Sequence, residues 1–132
     1  MFRGEDDLLV NAVEVARDEN LDPVDGIHEL HAAVVVKGAG SVLAYPDGTW
    51  DINASGNPGL ASAGTGDVLA GFAGAFLAQG ADARTALRIA VCVHGAAADE
   101  CVRAGRGPLG LTAAELAPAA RTLLNAAAGR GA

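Results

Sequence analysis

Residues 54–80 read ASGNPGLASAGTGDVLAGFAGAFLAQG, and the way this stretch is read decides the fold. Its first thirteen positions hold four glycines and a proline, a density that excludes helix and strand and demands a shaped loop. From position 67 the character reverses. Val68, Leu69, Phe72, Phe76 and Leu77 occupy nearly every direction of a helical wheel, so the helix expected over 67–79 should be buried against other elements. Gly71 and Gly74 are expected to let a neighbour approach its backbone closely. Gly80 stands where a left-handed residue stops a helix.

Upstream, AAVVVK at 32–37 is short, β-branched and apolar on both parities, as a strand covered on both faces should be. Strands are expected over 33–37, 41–45 and 49–53, broken by Gly38-Ala39-Gly40 and by Pro46-Asp47-Gly48. DDLLVNAVEVARDEN at 6–20 carries Leu9, Val13 and Ala16 on one stripe and predicts an amphipathic helix, followed by a turn at 22–26. Downstream, Asp82 can cap a helix over 82–104. A last helix is expected over 112–128. There Thr112 and Glu115 have capping-box spacing, Leu111 and Leu116 staple spacing, and Pro118 should kink or restart the helix. Strands followed by helices predict an α/β layer, although three strands make a thin sheet.

Composition narrows the function. Half the chain (51%) is hydrophobic and 19% is charged, which excludes disorder. The formal charge of −7 belongs to residues 1–30, which carry nine acids and two arginines. The remainder is balanced, with few aromatics and no basic stripe, so nucleic-acid binding is not expected. The longest apolar run, 68–78, falls well short of the roughly 20 residues a membrane span needs. Cys92 and Cys101 lie nine residues apart in one expected helix, on opposite faces, so they cannot pair with each other; a reducing cytoplasm suits them. With His94 they share no face, and a metal site among the three is not expected.

Two segments can carry chemistry. Gly64-Thr65-Gly66-Asp67 opens the apolar helix, where unpaired N–H groups and a partial positive charge suit an anion and glycines let it approach. Asp67 could take a proton from a hydroxyl held beside a phosphate, or simply cap the helix. Lys37 is the only lysine against eight arginines and stands where a buried strand ends in small residues. That turn could admit a nucleotide, or be an ordinary hairpin with a solvated lysine. Trp50 reads as packing at a strand end.

The runs NPGLASAGTGDVLAG at 57–71, VVVKGAGS at 34–41, AQG at 78–80 and VHGAAAD at 93–99 together resemble the ADP-dependent NAD(P)H-hydrate dehydratases of the ribokinase-like superfamily. The resemblance covers about residues 33–127. It implies an α/β ribokinase-like layered fold, of which this chain holds the C-terminal portion: a small β-meander followed by helices packed on the sheet. It also implies Lys37, Gly38, Ala39, Gly40 and Ser41 along an adenine nucleotide, with Gly64, Thr65 and Gly66 forming an anion hole on its phosphate side. Asp67 would be the catalytic aspartate facing the substrate NAD(P)HX, and Asn57 would lie at the edge of the same cleft. The implied cofactors are ADP, with ATP as the alternative, and Mg2+. No metal ligand of the protein's own is implied.

The departures are equally specific. Family domains are about twice as long, and a histidine-proline-glycine-glutamate motif expected upstream of the lysine strand is absent; His28 and His31 are not followed by it. Residues 1–30 form an acidic segment the resemblance leaves unmatched, before the dehydratase-like part at 31–132. The expectation is a truncated or split enzyme that self-associates or docks on a complementing N-terminal half. A small-molecule kinase of the same superfamily and a non-catalytic nucleotide-binding remnant are the other two readings.

Overall fold

The structure, a computed structural model, describes residues 9–11, 32–38 and 40–130. The strand β2 (Ala33–Val36) is the inner one, and its first three residues are buried whichever face they point to. It pairs antiparallel with β3 (Val42–Ala44), Val35 opposite Leu43. The next strand, β4 (Trp50–Ile52), pairs antiparallel with β3, Leu43 opposite Asp51. The expected meander is therefore present, each strand a residue or two shorter than its apolar run.

One further strand, β1 (Leu9–Asn11), lies parallel to β2 with Val10 opposite Val34, giving the sheet order β1-β2-β3-β4. The helix expected over 6–20 is overturned at these residues. Helical periodicity is a weak prior, and a pairing partner such as β2 overrides it. The rest of that expected helix and the turn at 22–26 lie outside the described residues.

Three helices follow. They are α1 (Thr65–Ala78), α2 (Ala83–Arg103) and α3 (Ala113–Gly129), each within two residues of its expected bounds. Gly80, with φ of 95°, closes α1 as expected: its N–H reaches Leu77 O while Ala81 N–H reaches Phe76 O. Asp82 caps α2 by accepting the Thr85 N–H at 2.9 Å. Glu115 accepts both the N–H and the hydroxyl of Thr112, and the Leu111–Leu116 pair is buried beneath them. Pro118 neither kinks apart nor restarts α3, which runs through it as one element; the proline sits early, where few hydrogen bonds are lost.

The helix α2 is the spine of the molecule. Its first half packs Ala83, Leu87, Ala90 and Val91 with Leu69 and Ala73 of α1 against Ala33, Val35, Leu43 and Tyr45 of the sheet. Its second half packs Ala97, Ala98 and Cys101 against Leu116, Ala119 and Ala120 of α3. Arg84 lies over the Tyr45 ring at 4.0 Å, and Arg88 pairs with Asp51 at 3.1 Å, tying the meander to α2.

The expectation for α1 needs correction. Only Thr65, Leu69 and Ala73 are fully buried, and no described atom comes within 4 Å of a side chain built on Gly71 or Gly74. The helix is apolar all round, but its outward side is built of glycine and alanine, which expose little apolar area. Trp50 and Ile52 also stand outward on β4, 64% and 60% exposed. No described helix is long and apolar enough to cross a membrane.

Candidate active site

The loop from β4 to α1 is held almost entirely by α2. Ser55 Oγ lies 3.0 Å from both Asn53 Oδ1 and the Cys92 carbonyl, and its proton is shared between them. A Cβ on Gly95 would stand 2.2 Å from that Oγ and 2.6 Å from the Ser55 carbonyl carbon, so α2 can carry only glycine there. Asp99, one turn on, accepts the Gly56 N–H and the Asn57 side-chain amide, each at 2.9 Å. Asn57 in turn accepts the Gly59 N–H and caps a short 3-10 turn, Pro58–Ala61.

That turn leads into the first residues of α1. Gly64 has φ of 83°, the left-handed conformation that lets the chain swing into the helix without a Cβ penalty. Thr65 is buried, and its hydroxyl donates to Leu60 O at 2.7 Å. Its carbonyl lies 2.7 Å from Nε2 of His94 on α2. A carbonyl can only accept, so His94 carries its proton on Nε2. Burial lowers the pKa of His94 and Lys37 pushes it the same way, while the bond to Thr65 opposes them. The ring is therefore a neutral strut, with Phe72 edge-on at 6.2 Å between centroids.

Lys37 reaches the same place from the sheet. A Cβ on Gly66 would lie 3.2 Å from its Nζ, so the ammonium sits against the second residue of α1. Among the described residues no carboxylate comes within 4 Å of it. The Gly66 and Asp67 amides belong to the opening turn, whose N–H groups have no partner within the helix. A half-buried cation and a helix N-terminus thus meet with no anion between them. That arrangement repels itself until an anion arrives.

A cavity of about 690 Å3 opens beside this junction, lined by Lys37, Gly38, Gly40, Ser41, Asn57, Leu60, Leu69 and His94 among others. Its size lies in the usual range for small-molecule sites, roughly 300–1,000 Å3. The structure therefore brings the lysine turn, the Asn57 loop and the start of α1 to one end of the sheet. Ser41 closes the lysine turn through long contacts, 3.4 Å, with the N–H and carbonyl of Gly38. Ala39 lies outside the described residues.

Other expected roles are narrower in the structure. The Thr65 hydroxyl is committed to Leu60, so only the backbone of that residue remains for a ligand. Asn57 borders the cavity, yet its amide is engaged by Asp99 and Gly59. Gly64, Thr65, Gly66 and Asp67 do not line the cavity itself; they adjoin it through Lys37 and Leu69, and Asp67 is exposed. Trp50 borders neither this cavity nor a second one of about 450 Å3, which lies between the meander and α2 beside the Asp51–Arg88 pair. Among the described residues no three His, Cys, Asp or Glu side chains cluster as metal ligands.

Ser55, Gly95 and Asp99 were not singled out by the sequence. The run VHGAAAD holds two of them, and their spacing of four puts Gly95 and Asp99 on one face of α2.

A parallel–antiparallel sheet covered by helices, with an anion-ready helix start at one end, defines the C-terminal portion of a ribokinase-like α/β layered domain. A family model described as NAD(P)H-hydrate dehydratase matches residues 8–120, so the chain belongs to that family. This match begins well inside the acidic segment, in keeping with β1 as part of the sheet. The chain is 48% identical over 94 residues to the ADP-dependent (S)-NAD(P)H-hydrate dehydratase of Neisseria meningitidis, covering 71% of this chain and 32% of that protein. It is 44% identical over 110 residues to the bifunctional NAD(P)H-hydrate repair enzyme Nnr of Thermofilum pendens, covering 83% and 21%. Among solved structures it resembles the ADP/ATP-dependent NAD(P)H-hydrate dehydratase of Bacillus subtilis co-crystallised with ATP/Mg2+. The TM-score is 0.77 at 27% identity, over 89% of this chain and 46% of the other. The chain thus spans a third or less of these two curated relatives and about half of the solved one.

Proposed function

We propose that this chain supplies the nucleotide-binding and proton-transfer portion of an ADP-dependent (S)-NAD(P)H-hydrate dehydratase. One observation carries the reading: the Lys37 ammonium set against Gly66 at the start of α1, beside a ligand-sized cavity. Lys37 and the Gly38–Ser41 turn, Ala39 included, border the nucleotide. The backbone amides of Gly66 and Asp67, with Gly64 and Thr65 shaping the turn, receive its phosphates. Asn57 sets the shape of the wall.

ADP, when bound, supplies the phosphoryl group that turns the ring hydroxyl of the hydrate into a leaving group, and elimination restores the dihydronicotinamide. Asp67 takes the proton of that hydroxyl on its carboxylate. The helix start counters charge that gathers on the phosphoryl oxygens. Mg2+ binds through phosphates and one or two carboxylates rather than a protein cage, so a nucleotide-borne ion needs only a carboxylate such as Asp67. The names of the relatives support the dehydratase over a kinase. Two thiols with no partner in each other, Cys92 and Cys101, suit a reducing cytoplasm.

The upstream motif that completes the substrate pocket in the family is not in this sequence. The chain alone therefore turns over little or no hydrate, and a complementing N-terminal half or a second copy covers its sheet. The test is an assay with ADP and NADPH hydrate, with the chain alone and mixed with the N-terminal half of a full-length relative. Turnover in the mixture that Asp67→Asn abolishes supports the assignment. Phosphorylation of a simple alcohol by ATP, with the hydrate untouched, would replace it with the kinase.

A further inference from the structure

We propose that Asp99, far from the lysine turn in sequence and remote from the reacting groups, is a positioning residue that holds the ligand cavity open in its binding shape. This rests on the nucleotide reading above. Both carboxylate oxygens of Asp99 are used on the loop: one accepts the Gly56 N–H, the other the Asn57 amide, each at 2.9 Å. Asn57 passes the constraint on by accepting the Gly59 N–H at 3.0 Å, which fixes the turn whose Leu60 carbonyl takes the Thr65 hydroxyl. Thr65 then returns to α2 through His94. The circuit begins and ends on one helix, at Asp99 and His94. The cavity wall and the first turn of α1 are both set by it.

The geometry makes a strict demand on hydrogen-bond polarity. Position 99 must accept twice, while position 57 must donate to it and accept from Gly59. Asp99→Asn sets one amide donor against another at Asn57. The reciprocal pair Asp99→Asn with Asn57→Asp satisfies every bond again. The new amide at position 99 would accept from Gly56 and donate to the new carboxylate at position 57, which would still accept from Gly59. A side chain that merely filled space would not be rescued by exchanging the two.

The experiment uses the full chain with Asp99→Asn, Asn57→Asp and the double exchange. It reads amide exchange at Gly56 and Gly59, calorimetric affinity for ADP, and melting temperature. Asp99→Asn is expected to speed exchange at both amides and to weaken ADP binding, each by about tenfold, the usual effect of an unsatisfied buried polar group. The double exchange is expected to bring both back to within about threefold of the parent. Leu116→Val, a core change away from the loop, lowers the melting temperature and leaves ADP affinity alone. Unaltered exchange in Asp99→Asn, no recovery in the double variant, or equal loss of affinity in Leu116→Val would overturn the proposal. If a single variant does not fold, recovery of parental exchange in the double variant decides. A parent chain that binds no ADP would defeat the nucleotide reading, while the exchange pattern still judges Asp99.

Discussion

Gly66 and Lys37 place opposite demands on the start of α1: the glycine leaves room and the lysine fills it with charge. A methyl group at position 66 would meet the flexible end of Lys37 at 3.2 Å, and lysine can withdraw. Gly66→Ala should therefore melt within a few degrees of the parent, because the strain is small and alanine favours helix, yet bind ADP more weakly by about tenfold. Equal affinity in the two proteins, read by calorimetry, would take Lys37 out of the site. His94 offers a second check through pH. Its folded pKa lies below the ordinary 6.5, so below that value the unfolded chain takes up a proton that the folded chain resists. Stability is full above about pH 6.5 and falls as pH drops through His94's lowered value. The carboxylates of Asp47, Asp82 and Glu115, lowered mainly by hydrogen bonds, add their own loss only near and below about pH 4. His94→Gln should flatten the upper part of that profile in urea melts recorded across the range. Lys37 was legible because a sequence of arginines keeps one lysine, at a strand end. Asp99 was not, because its partners Gly56 and Asn57 are 43 and 42 residues away and no local spacing announces them.

Each helix was legible from its ends: Asp82 before α2, Gly80 after α1, Thr112 and Glu115 before α3. Caps are local chemistry and survive folding unchanged. What each helix faces is not local. The apolar wheel of α1 promised burial on all sides, yet its Gly71 and Gly74 side meets no described neighbour. Likewise Leu9, Val10 and Asn11 fit a helical stripe and became a strand because β2 stood ready to pair. The contact that matters most between elements is Gly95 under Ser55. There a Cβ would press on backbone, at 2.6 Å from the Ser55 carbonyl carbon, and backbone cannot swing aside. Gly95→Ala should cost about 3 kcal/mol in denaturant unfolding, against the few tenths gained from helix propensity. A variant as stable as the parent would mean that the loop lies elsewhere.

The molecule as a whole is a spine helix joining two small cores, with a four-stranded sheet at one end and α3 at the other. Trp50 and Ile52 lie open on β4, and the sheet is short for the area of its helices. A chain spanning 46% of its solved relative carries that relative's nucleotide end in outline, and the sequence made this legible through its glycine-rich motifs and the meander. It could not reveal β1, whose pairing with β2 joins residues as far apart as Leu9 and Ala33. Mixing the chain with the N-terminal half of a relative should produce a complex on a sizing column and reduce the fluorescence change of Trp50 on adding a quencher; an unshifted column profile would count against docking on this sheet. The central claim is that an adenine nucleotide binds where the Lys37 turn meets the start of α1. It is tested most directly by titrating ADP into the isotopically labelled chain and following backbone amide resonances. The account predicts saturable shifts at Gly38, Ser41, Gly66 and Asp67, lost in Lys37→Ala. Shifts confined to the second cavity around Arg88 and Ile89, or none at millimolar ADP, would contradict it.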